Sequence, residues 1–173
     1  MIATVNDIKT KGRYISKHID DAVVLPFIRE SEMREIRLAI GDALYLSLDA
    51  YIADTRIPVN AIYDNLLDGC TWEKCGQKYI LVGLIEIICY LTQARLAKSG
   101  DIHVTRSGNK MKLDESSETP EIKERIVFYK ELFIIAEEYL KSVVEYIENN
   151  LSNACRSTAK RYHKSVTIQA IGD

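Results

Sequence analysis

The sequence predicts a mainly α fold: a helical bundle with a central apolar helix, a long C-terminal helix and a small β-hairpin or arm. Three observations predict it. Tyr79 to Ala97 is an apolar run broken only by Glu86, Gln93, Arg95 and a few small polar residues, and Gly100 ends it. From Ile122 onward the positions Ile122, Ile126, Tyr129, Phe133, Ala136, Leu140, Val143 and Ile147 alternate spacings of four and three, a heptad seam. Between these two segments, Gly100, Gly108, Asp114, Ser116, Ser117 and Pro120 crowd turn formers into one excursion.

The elements follow in order. Residues 1–19 are polar and mixed, and Thr4–Asp7 promises a helical turn at most. Asp20 is an N-cap before Val23, Phe27, Ile28, Met33 and Ile36. Pro26 either kinks that helix or opens its main part. Gly41 breaks the pattern, and Asp42 caps a helix from Ala43 to Ala53 with Leu44, Leu48 and Ile52 on one face and Tyr45 beside them. Residues 54–58 form a loop. A short helix from Asn60 to Leu67 stops at Asp68-Gly69. Thr71 to Tyr79 reads as a hairpin or an extended loop turning at Gly76. The apolar run is hydrophobic nearly all round, which places it at the centre of a bundle. Ile102-His103-Val104 and Met111-Lys112-Leu113 read as short strands paired across Ser107-Gly108-Asn109. Thr119 and Pro120 open the long helix. Leu132, Ile135 and Tyr139 widen its seam, which suits a bundle core better than a bare two-stranded coiled coil.

The chain divides into residues 1–151, the helical domain, and residues 152–173, a basic tail with an alternating, strand-like Val166–Ile171. The tail carries Arg156, Lys160, Arg161 and Lys164 against one acid, Asp173. From Glu115 to Glu148 the bias is opposite, nine acids against four bases. Either these are a solvated helix face and a free terminus, or unlike patches meet between identical subunits, as in rings. The whole chain has a net charge of −2 in 173 residues, with 47% hydrophobic and 28% charged residues. That balance gives no global case for nucleic acid or an anionic membrane. Glu86, Gln93 and Arg95 argue against a membrane span in the apolar run. No signal peptide is expected, and Cys70, Cys75, Cys89 and Cys155 read as free thiols in a reducing compartment. Cys70 and Cys75 lack the second ligand pair a structural zinc needs.

No phosphate-binding glycine motif, zinc-protease motif, nucleophile elbow or calcium loop occurs. His18, His103 and His163 lie far apart, and Glu86 reads as a solvent-facing or interhelically paired carboxylate. The expectation is therefore no enzyme, no cofactor, no metal and no catalytic residue. The residues singled out for interaction are Asp101, His103, Thr105, Arg106, Lys110 and Lys112 in the excursion, with Arg156, Lys160, Arg161 and Lys164 in the tail.

Several segments in order carry a resemblance: Ile15–Asp20, Pro26–Glu30, Ile40–Tyr45, Leu66–Gly69, Ala94-Arg95 and Ser99–Gly108. The most specific is Gly100-Asp101-Ile102-His103-Val104-Thr105-Arg106. Together they resemble a family of phage and prophage proteins of gut Bacteroides-type bacteria, which is similar to the small helical head–tail connector (adaptor) proteins of tailed phages. Ser107 stands where an aromatic residue is expected, and the tail is outside the resemblance. The resemblance implies a structural ring subunit between portal and tail. Its partners would be copies of itself and the portal and tail proteins, with DNA only passing through the lumen and no membrane. It places the protein in the virion, and in the host cytoplasm during assembly. The alternative is a helical scaffold or regulatory domain that dimerises through the 120–150 helix.

Overall fold

The computed structural model of the chain describes residues 1–13, 18–99, 102–105, 108–111 and 122–151. It is mainly α with two small hairpins, as the periodicities predict.

Helix α1 (Val5–Thr10) is longer and more anchored than the sequence suggests. Thr4 and Asp7 close a reciprocal capping box, which satisfies two otherwise orphaned N–H groups. Ile2, Ala3 and Ile8 are buried, so the polar N-terminal stretch is tied to the core by its few apolar residues. Helix α2 (Asp21–Ser31) starts on Asp20, whose carboxylate accepts from the Ala22 N–H at 2.9 Å. Pro26 lies inside α2. Both Pro26 and Ala22 are exposed, so the carbonyl that loses its partner faces water. A π-helical turn (Glu32–Ile36) leads directly into α3 (Arg37–Ile40). Gly41, at φ +87°, ends that rod and starts α4 (Asp42–Ala53). Asn60 caps α5 (Ala61–Asp68) by accepting from the N–H groups of Ile62 and Tyr63.

The expected helix from Tyr79 is corrected. Tyr79, Ile80, Leu81 and Val82 belong to strand β2 (Gln77–Val82), paired antiparallel with β1 (Gly69–Lys74). An apolar run alone does not separate strand from helix. Here alternation does: Leu81 is buried while Ile80 is 78% exposed. The turn is Cys75-Gly76, both at positive φ, the backbone that matches the twist of a two-residue hairpin. Gly83 then separates strand from helix. A Cβ there would stand 2.3 Å from the Leu67 carbonyl oxygen, so only glycine fits the crossing.

Helix α6 (Leu84–Ser99) is the central helix. It packs along α7 (Ile122–Asn150) and against α1, α2 and α5. Leu84, Ile87, Ile88 and Cys89 are fully buried. The C-terminal half of the α7 seam is buried inside the chain: Ala136, Leu140, Val143 and Ile147 are at most 2% exposed, as is Leu132 beside it, whereas Tyr129 and Phe133 are only half-buried and Ile126 is 38% exposed. Trp72 links the first hairpin to this core, 5.5 Å edge-on from Tyr146. Strands β3 (Ile102–Thr105) and β4 (Gly108–Met111) form the second hairpin. Its register is Ile102↔Met111 to Thr105↔Gly108, so the second strand lies three residues earlier than Met111–Leu113. The turn expected across Ser107-Gly108-Asn109 is corrected, since Gly108 and Asn109 belong to β4.

Candidate interaction surface

The excursion residues are brought together only in part. His103 stands opposite Lys110 in the β3–β4 register, and Thr105 opposite Gly108. Asp101, Arg106 and Lys112, and the tail residues Arg156, Lys160, Arg161 and Lys164, lie outside the described residues, as do the N-cap at Thr119-Pro120 and the Val166–Ile171 alternation. Among the described residues β3 and β4 pair only with each other. Among these residues, no third strand lies along the outer edge of either.

The hairpin begins just beyond the α6 C-terminus, and the neighbouring surface is built around Arg125. That side chain is 8% exposed and donates to the carbonyls of Ala97 at 2.9 Å and Lys98 at 3.1 Å. It caps the last turn of α6 with a cation, where the helix dipole favours one. Lys98 lies 4.9 Å from the centre of the Tyr129 ring. Arg13 lies 5.3 Å from the Phe128 ring and also pairs with Glu131. The polar groups thus hold the first turns of α7 in place while their apolar side chains face outward: Val127 is 64% exposed and Ile134 is 54% exposed. Leu96, Ala97, Val127 and Phe128 line a shallow cleft there.

The acidic helix is partly neutralised within its own chain. Glu131 pairs with Arg13 and Glu145 with Lys74 at 2.8 Å, both at partly exposed sites. No group of three or more potential metal ligands is found among the described residues. No helix among them is long and apolar enough to cross a membrane.

A family model described as "Family of unknown function (DUF6712)" matches residues 36–162. The chain belongs to the DUF6712 family. No curated protein and no solved structure matches it. The DUF6712 match takes in α4 to α7, both hairpins and Arg95, and it begins at the last residue of the π turn.

The polar residues that organise this DUF6712 fold are ones the sequence reading passed over. Arg95, 8% exposed, donates from Nη2 to both Glu35 carboxylate oxygens at 2.6 and 2.7 Å and from Nη1 to Ser31 Oγ at 3.0 Å. Burial pushes the Glu35 carboxyl above its ordinary range, against the pull of Arg95. Glu32, fully buried, accepts from the N–H groups of Ile2 and Ala3 and from the Tyr45 hydroxyl. Gln93 accepts from the Arg13 N–H and donates to the carbonyls of Ile8, Lys11 and Arg13, which fastens the chain after α1. The signal was present: Gln93 and Arg95 interrupt the apolar run, and buried charge demands a partner.

Proposed function

We propose that this protein is a structural assembly subunit, a phage head–tail connector (adaptor) that forms a ring between portal and tail. It acts in the virion after assembling in the host cytoplasm, and DNA passes through the ring without being read. One observation carries the reading: the ordered segments that resemble connector-like phage proteins end in the Gly100–Gly108 stretch, and that stretch supplies β3 and the start of β4. A short ribbon with open edges suits pairing with a strand of a neighbouring subunit. The exposed Val127 and Ile134 of α7 offer a second, apolar surface for contact between subunits. No residue is assigned a catalytic role, and no cofactor enters the reading. The alternative, a scaffold or regulatory domain dimerising through the 120–150 helix, has to use the outer face of α7 or the exposed start of its seam around Ile126, because the seam from Ala136 onward is already buried.

The test is deletion of residues 103–112, followed by native mass measurement of the full chain and the shortened chain, alone and with portal. Under the connector reading the full chain joins a ring on the portal, and the shortened one stays folded but does not. A full chain that forms only dimers, or a shortened chain that assembles normally, overturns the assignment.

A further inference from the structure

The rod from Asp21 to Ile40 holds one residue more than α-winding allows. The Glu32 N–H donates to Ile28 and the Gly41 N–H to Arg37, both four residues back. Between them the Arg37 N–H donates to Glu32, five residues back. The phase of the apolar residues changes across that turn. On an unbroken α-helix at about 100° per residue, Leu38 would fall about 40° from Val24, on the buried face. Ile40 would fall about 160° away, on the opposite side. The structure shows the reverse: Leu38 is 54% exposed and Ile40 is 1% exposed.

The groups that hold this phase come from outside the rod. The N–H groups of Ile2 and Ala3 reach Glu32 at 2.8 and 3.0 Å, and the Tyr45 hydroxyl reaches it at 2.8 Å from α4. Arg95 holds Glu35 from α6. All three hydrogen bonds to Glu32 end on a buried carboxylate, where losing a partner is costly. Beyond the turn, Gly41 at φ +87° joins α3 to α4, a junction that takes up rotation without side-chain strain. Exchanging Ile40 for Leu38 on the core side swaps one large aliphatic residue for another, while the buried Ile36 and Ala39 turn with them, so the polar bonds to Glu32 and Glu35 weigh heavily in the register.

We propose that the π turn is a two-state register element: the N-terminal segment, bound through Ile2 and Ala3 to Glu32, holds the π form, and its release lets the turn tighten to α and rotates α3. Such π turns inside α-helices are frequent at functional positions. The consequence is a coupling between the N-terminal segment and the outer face of α3, which trades an exposed Leu38 for an exposed Ile40. The coupling does not depend on the connector assignment.

Thiol labelling with peptide mapping tests this in the full chain. Leu38→Cys and Ile40→Cys are made separately, each with and without Glu32→Gln. In the parent, the thiol at position 38 reacts readily and the one at position 40 is protected. With Glu32→Gln, labelling at 40 should rise by about tenfold, the response to loss of one charge-assisted bond, and labelling at 38 should slow by a smaller factor, because the two populations sum to one. No change at either position overturns the proposal. A rise at both positions together also overturns it, since that reports unfolding rather than rotation. Should Glu32→Gln fail to fold, Tyr45→Phe removes a single hydrogen bond to Glu32 and keeps the ring packing. Opposite changes at 38 and 40 in that variant support the proposal, and their absence overturns it.

Discussion

Arg95 and Glu35 show how unevenly a buried ion pair responds to mutation. Together they satisfy each other; apart, each is a charge in the core. Arg95→Met should destabilise the fold by about 3–5 kcal/mol in urea unfolding, because it strands the Glu35 carboxylate. Adding Glu35→Leu should recover most of that loss. The sign with pH follows from the direction of the Glu35 shift. A carboxyl raised in the folded state binds its proton more readily there than in the unfolded chain, so stability falls as pH rises through the raised value. Without Arg95 the shift grows, and the single variant should gain stability on acidification from neutral pH toward about pH 5. Stability independent of pH in Arg95→Met would contradict a stranded carboxylate. The thiols differ in the same way. Burial pushes Cys89 up to about 12, while Cys75 sits exposed at the hairpin turn. At neutral pH a thiol reagent should label Cys75 within minutes and Cys89 only after unfolding, read by peptide mapping.

The elements differ in how much each position contributes. Leu140 is 2% exposed on the seam of α7, and Ile134 is 54% exposed on the outside of the same helix. Leu140→Ala should cost about 2–5 kcal/mol, a cavity between α6 and α7. Ile134→Ala should cost less than about 0.5 kcal/mol in the isolated chain, as surface substitutions do. A large loss at Ile134 would place that face inside a self-association already present in solution. At the start of α6, Gly83→Ala forces a methyl group onto the Leu67 carbonyl. The backbone must shift there, so the melting temperature should drop by several degrees. An unchanged melt for Gly83→Ala would mean that the crossing of α5 and α6 is looser than drawn.

For the whole molecule, the decisive question is what lies outside the intramolecular contacts. The acidic bias of α7 looked like a free surface for the basic tail. Two of its acids are instead paired with Arg13 and Lys74 of the same chain. An assembly contact through Arg156, Lys160, Arg161 and Lys164 therefore has to compete with those pairs. Truncation after Leu151 should leave the thermal melt of residues 1–151 nearly unchanged and, under the proposed connector role, weaken association with a portal most at low salt, where exposed charges are least screened. Collapse of the melt on truncation would place the tail in its own core. Association equally strong with and without the tail, at every salt concentration, would remove the tail from the assembly surface.

Local chemistry was enough to determine much of this protein. Asp20 and Asn60 cap helices because a side-chain oxygen satisfies the first free N–H groups, and Gly41 and Gly69 end helices at positive φ. The three-four spacing of α7 and the apolar circumference of α6 were legible for the same reason: a period fixes which face must leave water. What the sequence could not supply is whatever depends on a residue far along the chain. Tyr79–Val82 read as helix because an apolar run is ambiguous until Tyr79 is paired with Trp72 and Leu81 with Cys70 across a hairpin that packs on α7. Apart from the Leu91 carbonyl one turn before Arg95, the partners of Arg95, Glu32 and Gln93 lie at least thirteen residues away, and most lie sixty or more away or in the N-terminal segment. The π turn is the sharpest case. No local propensity asks for an extra residue between Ser31 and Arg37; the bonds to Ile2, Ala3, Tyr45 and Arg95 hold it in place, and those groups meet only once the bundle has closed.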